Sequence, residues 1–373
     1  MTGPPPRLAV AGAGMAGLAT AARLAELGAA PVVFEKGDRA GGSMLLSSGV
    51  IWRHASFEEF RAECHEGDPA LQHLIWSRLD AAIEWLRRLG APVVRPDTGN
   101  PRTVGVRFET RGLVATLVGR LAAGSLRLGQ SLPAEATETV TVLATGGFGA
   151  SPDLVARHIR PAAPLRVRGT AWSTGDGLVH GLARGGALSS GMGEFYGRNM
   201  PDRAWTEDEL VPVAQLYGAH ARIFDESGKE FFAAADVSWA ETNVCQATAT
   251  RPGARAYYLL TADALNARIR DRSVADIVAL AAPEARVGLD ALPFSPPAGI
   301  VAAVRVAAAI THTIGGLRVN EHAQVLGERE TAIPGLFAAG IDAGGVSAGG
   351  YSSGLAQALV LGLAAAEAAV QCI

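Results

Sequence analysis

Short apolar runs that end in glycine recur along this chain and set its reading. Leu8-Ala9-Val10-Ala11 has the length and continuity of a buried parallel strand. A helical period follows, with Leu18, Ala21, Ala22, Leu24, Ala25 and Leu27 on the apolar positions and Gly28 as the stop. Pro31-Val32-Val33-Phe34-Glu35 is the next strand. Val142-Leu143-Ala144-Thr145-Gly146-Gly147-Phe148 and Leu336-Phe337-Ala338-Ala339-Gly340-Ile341-Asp342 repeat the strand-into-glycine pattern further along. The alanine-rich stretch Leu355 to Val370 is the most apolar; it reads as a buried helix, expected to be too short to span a bilayer.

Between the first strand and helix stands Gly12-Ala13-Gly14-Met15-Ala16-Gly17, with Glu35 placed 18 residues after Gly17. Three glycines alone are a weak signal. In a strand–turn–helix context each has a distinct physical role. Gly12 turns the chain, Gly14 lets backbone approach a pyrophosphate, and Gly17 packs helix on strand. The helix N-terminus, at Met15 and Ala16, offers amides and positive dipole to phosphates. Glu35 suits ribose hydroxyls and disfavours a 2′-phosphate. Arg39-Ala40-Gly41-Gly42-Ser43, with Ser47, Ser48 and Gly49, adds a Gly/Ser loop able to hug a cofactor. Similar turns near both chain ends favour a long extended FAD over NAD, which needs only the first fingerprint.

Composition narrows the class. The 373 residues allow a large core and roughly two domains. With 49% hydrophobic and 18% charged residues, 45 Gly and 20 Pro, the chain is globular and rich in tight turns. A net charge of −3 with interspersed signs suggests neither nucleic acid nor membrane insertion. Cys64, Cys245 and Cys372 lie far apart, without metal, iron–sulfur or haem spacing, and Met1 to Arg7 lacks the regions of a secretory signal. A reduced, cytoplasmic protein without a metal is expected.

Five ordered segments resemble one family: the fingerprint with Glu35; Ala144-Thr145-Gly146-Gly147-Phe148; Thr174-Gly175-Asp176-Gly177; Thr311-His312-Thr313-Ile314-Gly315-Gly316-Leu317; and Phe337 to Gly345. They are similar to the flavoprotein subunits of fumarate reductase and succinate dehydrogenase and to the related 3-ketosteroid dehydrogenases. The resemblance implies an α/β fold with a Rossmann-like FAD-binding domain built from both chain ends (1–189 and 311–373). An inserted α+β capping domain at 190–310 and a non-covalent FAD complete it. It implies FAD contacts from Gly12, Gly14, Met15, Ala16, Gly17, Glu35, Lys36, Gly42, Ser43, Ser47, Gly49, Ala144, Thr145, Gly146, Gly147, Asp176, Gly340, Asp342, Gly354 and Leu355. Leu113 to Val140 leaves little room for the β-meander of such relatives, so a trimmed member is expected.

The resemblance also supplies site expectations. His312 opens a segment similar to one whose histidine binds substrate, and Gly315 and Gly316 are expected to let backbone approach the flavin. The arginines that clamp carboxylates and deliver a proton have changed. Gly228-Lys229-Glu230-Phe231 stands where relatives show Gly-Lys-Arg-Phe, the proton-donating arginine falls near Ser238, and the C-terminal clamp arginine is replaced by Tyr351. A tyrosine lacks arginine's bidentate fork, which argues against a dicarboxylate. Gly349-Gly350-Tyr351-Ser352-Ser353-Gly354 instead resembles a ketosteroid dehydrogenase run that faces a ketone. Tyr351, His312, Tyr196 and Ser353 are thus the candidate catalytic residues, Ser353 with the alternative of a helix cap. Arg198, Tyr217, Trp239, Gly315 and Gly350 are candidate substrate contacts, with core or surface roles the alternative for Arg198, Tyr196, Tyr217 and Trp239.

The expected activity is dehydrogenation or reduction of a carbon–carbon bond beside a carbonyl in a small molecule, with an external electron donor or acceptor. The alternative is a flavoprotein performing net non-redox isomerisation or cyclisation; turnover without an electron acceptor distinguishes it.

Overall fold

The computed structural model describes residues 8–133 and 140–373. The Met1–Arg7 reading lies outside them, as does the end of the shortened segment before Val140. The chain forms two compact units: residues 1–151, 170–194 and 312–373 make the first, and 152–169 with 195–311 make the second. Residues 152–169, which the sequence reading assigned with the nucleotide end, thus pack with the inserted segment.

The first unit is built on a six-stranded sheet in the order Gln324–Leu326, Ala332–Ala338, Val140–Leu143, Leu8–Ala11, Val32–Glu35, Leu126–Leu128. All neighbours run parallel except the antiparallel pair at the Gln324–Leu326 edge. Leu8–Ala11 is buried at every position, as a strand covered on both faces must be. Its neighbour Val140–Leu143 lies more than a hundred residues on, and Ala332–Ala338 comes from the C-terminal part, so both ends of the chain share one sheet. A separate three-stranded antiparallel sheet holds Val50–His54, Thr103–Phe108 and Val93–Arg95.

Helix Met15–Glu26 packs on the C-terminal helix Gly354–Ala369. The contact depends on Gly362, where a Cβ would lie 2.7 Å from the Ala16 carbonyl oxygen, and on Thr20, whose hydroxyl donates to Ala16 and Gly362 carbonyls. The helical run Gly354–Cys372 covers 19 residues and is long and apolar enough to cross a membrane by composition, which corrects the expectation that it is too short. It is 67% buried inside the protein, as a core helix is.

The second unit is a mixed sheet whose spine is the long strand Ile300–Thr313, flanked by Arg255–Thr261, Arg286–Val287, Arg166–Val167 and Phe195–Pro201. Tyr217, Tyr258, Ile223, Val304 and Ile277 fill its core. Glu241 enters the helix Thr242–Ala249 at φ 52°, a left-handed conformation that costs free energy in a non-glycine residue. Burial pushes its carboxyl up to about 7, against the Arg198 guanidinium and the Gly218 N–H, which donates to it at 3.0 Å.

Two expectations follow. Gly362→Leu wedges the helix pair apart and is expected to lower the unfolding free energy by roughly 1–3 kcal/mol; an unchanged denaturation midpoint contradicts the close contact. The folded Glu241 carboxyl holds its proton more tightly than an unfolded one, so between 4.5 and about 7 the folded chain binds more protons. Stability therefore falls as pH rises through that window. Glu241→Gln is expected to melt with the wild type near about pH 4 and above it near about pH 8; a difference in melting temperature independent of pH rejects the assignment.

Candidate active site

The glycine turn has the geometry its spacing predicts. Gly12 has φ 101°, and a Cβ there would sit 2.2 Å from the Ala144 carbonyl oxygen; one on Gly17 would sit 1.9 Å from the Gly12 carbonyl oxygen. Gly14 differs: nothing lies within 4 Å of its Cβ position. Open space thus stands before a helix whose N-cap lacks a side-chain bond and whose first turn carries no acid. The first-turn amides, those of Met15 and Ala16 among them, have no intrahelical acceptor. Gly42 approaches from the other side, its Cβ position 3.4 Å from the Gly14 Cα. This combination fits a pyrophosphate. Glu35 accepts from the Ala13 and Gly37 N–H groups at 2.8 and 2.7 Å, which aims the carboxylate beside the turn.

Several expected cofactor contacts hold the protein to itself. Asp342 is 1% exposed and accepts from the Gly147 N–H at 2.9 Å and from the Thr145 amide and hydroxyl. Burial pushes its carboxyl up, and those donors oppose the shift. Thr145 in turn accepts from the Gly177 N–H at 3.0 Å, and a Cβ on Gly177 would strike Asp342 at 2.2 Å. Asp342 is therefore a clasp that joins three of the five motifs: Ala144–Gly147, Gly175–Gly177 and Gly340–Asp342. Gly146 and Gly147 take φ of 90° and 77° in that clasp, and Gly340 at φ 65° abuts Ala16. Lys36 is paired with Asp176 at 2.9 Å and with the Thr174 hydroxyl. Ser43 accepts from the Thr170 N–H, and Ser47 closes its own turn to Met44 and Gly49.

Tyr351 and His312 both belong to the first unit, and both are half-buried. The Tyr351 ring meets Trp52 at 5.5 Å between centroids, tilted by 53°. Its carbonyl oxygen is 3.3 Å from His54 Nε2; a carbonyl only accepts, so that nitrogen carries the proton. His54 is 4% exposed, stacks on Phe60 at 5.1 Å, and is held neutral by burial. The Tyr351 N–H faces the buried Cys64 sulfur, whose thiol burial pushes far up. Glu194 accepts from the Gly349 N–H at 2.9 Å, while its carbonyl accepts from Ile314, two residues beyond His312. Burial raises the Glu194 carboxyl, with Glu66 adding to the rise. One residue thereby ties the Tyr351 loop to the His312 segment. His312 Nδ1 donates to the Thr313 carbonyl oxygen at 3.1 Å, and its Nε2 lies 3.0 Å from the Cβ position of Gly354. Gly354 and Leu355 open the C-terminal helix there.

The other candidates have the following surroundings. Ser353 is the cap of that helix: its hydroxyl accepts from the Ala356 N–H at 3.2 Å, and it is 4% exposed. Gly315 and Gly350 serve approaches of backbone to backbone, with Cβ positions 2.5 Å from Met192 Cα and 1.9 Å from the Glu63 carbonyl oxygen. Gly316 likewise abuts the Ile341 and Asp342 carbonyls. In the second unit, Tyr217 is fully buried and donates to Gln215 at 2.7 Å, the core role that the sequence offered beside a substrate contact. Arg198 is nearly buried, lies over the Tyr196 ring at 5.0 Å and faces Glu241. Trp239 and Tyr196 are half-buried. The sequence reading gave Trp52, His54, Cys64 and Glu194 no role at this site, and nothing in the pattern signalled their burial.

Comparison with known proteins agrees with this geometry. The sequence profile of the FAD binding domain family matches residues 7–132 and 126–355. Fumarate reductase (cytochrome) of Shewanella frigidimarina is 23% identical over 89% of this chain and 71% of its own. The open conformation of a flavocytochrome c3 fumarate reductase superposes with a TM-score of 0.70 at 19% identity, over 98% of this chain and 78% of that one. The 3-ketosteroid Δ1-dehydrogenase of Sterolibacterium denitrificans gives 0.72 at 15% identity, over 98% and 99%. The 3-ketosteroid Δ4-(5α)-dehydrogenase of Rhodococcus jostii RHA1 gives 0.68 at 16%, over 98% and 96%. The chain belongs to the FAD-binding domain family, and FAD is its cofactor.

Proposed function

We propose that this protein is an FAD-dependent oxidoreductase that dehydrogenates or reduces a carbon–carbon bond beside a carbonyl in a small molecule. In this reading it holds FAD non-covalently and exchanges electrons with an external partner. The observation that carries it is Tyr351: a phenol placed where the resemblance expects an arginine, on a loop fixed at Gly349, at the Tyr351 carbonyl and against Trp52. Two similar structures, both ketosteroid dehydrogenases, were determined with diones bound, which supports a ketone over a dicarboxylate.

Bound FAD supplies hydride exchange at the carbon β to the carbonyl. The protein's part is positioning and proton movement. Tyr351 hydrogen-bonds the carbonyl or exchanges a proton at the α-carbon. His312 binds the substrate beside the start of the C-terminal helix. That helix presents its positive end there, capped by Ser353, and favours negative charge nearby. Within the second unit, Arg198 lies over the Tyr196 ring and faces Glu241, which it steadies.

The test is anaerobic spectral titration of the yellow protein with cyclic ketones, enones and monocarboxylates, wild type against Tyr351→Phe. The wild-type flavin is expected to bleach with a saturated ketone, or to reoxidise with an enone after reduction. Tyr351→Phe is expected to slow that step by about 10²–10⁴-fold while the resting flavin spectrum stays unchanged. Equal rates remove Tyr351 from the chemistry. Spectral perturbation by ligands without any change of redox state moves the support to net isomerisation or cyclisation.

A further inference from the structure

In the second unit, three guanidinium groups converge on one carboxylate. Asp202 follows the strand Phe195–Pro201, and its N–H donates to the Arg305 carbonyl at 2.9 Å. Its side chain is 2% exposed. Oδ1 pairs with Arg166 Nη2, while Oδ2 pairs with Arg255 Nε and Arg305 Nε, each at 2.8 Å. Sheet register explains the convergence. Arg255 stands opposite Ala307, Arg305 opposite Tyr257, and Arg166 opposite Ala309, so the period of two puts all three arginines on one face.

A single buried carboxylate balances one of three permanent charges, so the group retains an excess of two. The donors are unevenly used. Arg166 is engaged further, donating to the Arg203 carbonyl and lying over the Trp205 ring at 5.2 Å. Arg255 and Arg305 come nearest to Asp202 through Nε, Arg305 Nε without a hydrogen bond, and their side chains are 41% and 39% exposed. On the turn that follows, Glu209 is taken by Arg203 at 2.7 Å. A surface ion pair would neutralise itself; here the carboxylate is sunk and the guanidinium forks are held at the surface.

We propose that Arg255 and Arg305, held by Asp202 and supported by Arg166, form a binding site for the phosphate group of a small organic phosphate. A phosphate carries close to two negative charges and three acceptor oxygens, matching both the excess charge and paired forks; a carboxylate matches half of that charge. The site stands independently of the ketone chemistry proposed above and adds a second ligand class, a phosphorylated substrate or electron carrier.

The probe is inorganic pyrophosphate, titrated calorimetrically into the FAD-loaded protein at low ionic strength. With FAD in place its own phosphate cradle is filled, and an unchanged flavin spectrum verifies that it stays so. Saturable one-to-one binding is expected, weakening as salt approaches physiological strength. Arg255→Gln and Arg305→Gln are each expected to reduce affinity by tenfold or more. Arg255→Lys and Arg305→Lys keep the charge and lose the fork; they are expected to fall between the wild type and the glutamine variants, and they carry the test if a glutamine variant fails to fold. Arg268→Gln, on a separate two-stranded ribbon, is expected to bind as the wild type does. No saturable heat with pyrophosphate, equal affinity in the arginine variants, or tighter binding of succinate than of pyrophosphate overturns the proposal.

Discussion

Everything at the nucleotide end depends on one close crossing of backbone. The turn after Leu8–Ala11 runs so near to the turn after Val140–Leu143 that a Cβ on Gly12 would lie 2.2 Å from the Ala144 carbonyl oxygen. Parallel strands separated by well over a hundred residues are thereby made to end together. Once they do, Asp342 can reach from a third strand end to the amides of Thr145 and Gly147. The cost is a carboxylate buried away from water, offset by donors at hydrogen-bond distance. The open space over Gly14 is the consequence: the surrounding turns are fastened to one another, so the helix amides need a ligand to satisfy them.

The same economy governs the Tyr351 loop. A phenol gives up the long-range attraction of an arginine and relies on position instead. Position is what the surroundings provide, through ring contact with Trp52, a neutral His54 on the carbonyl and Glu194 on Gly349. Because Glu194 also carries Ile314 on its carbonyl, Tyr351 and His312 are fixed with respect to each other through three backbone groups. Small errors in such placement cost large factors in rate. The residues that do the placing are therefore as consequential as those that touch substrate.

How much of this the sequence disclosed follows from which interactions are local. The fingerprint glycines, the helix starts at Met15 and Gly354 and the apolar strands are set by neighbours a few positions away, and they were legible. The common family of the five motifs was legible because each is a turn of fixed chemistry. Asp342 as a clasp was not, since its partners lie 195 and 197 residues away. Tyr217 carried two readings, because an aromatic beside a glycine turn looks alike whether it faces a cleft or a core; its bond to Gln215 and complete burial select the core. Trp52 and His54 carry no pattern of their own, because a three-stranded sheet brings them under Tyr351. Residues 152–169 join the second unit through the pairing of Arg166–Val167 with Ala309 and Ile310, a match of two positions that no periodicity announces.

Asp202 and Glu241, both in the second unit, have opposite settings, and the difference separates their uses. Asp202 is surrounded by three guanidiniums, more positive charge than it can answer, so the surplus faces outward and attracts an anion. Glu241 has one guanidinium, one backbone donor and a strained backbone, and burial brings its carboxyl to about 7. A group so placed changes its charge at neutral pH, which suits proton exchange and makes it a poor fixed anchor.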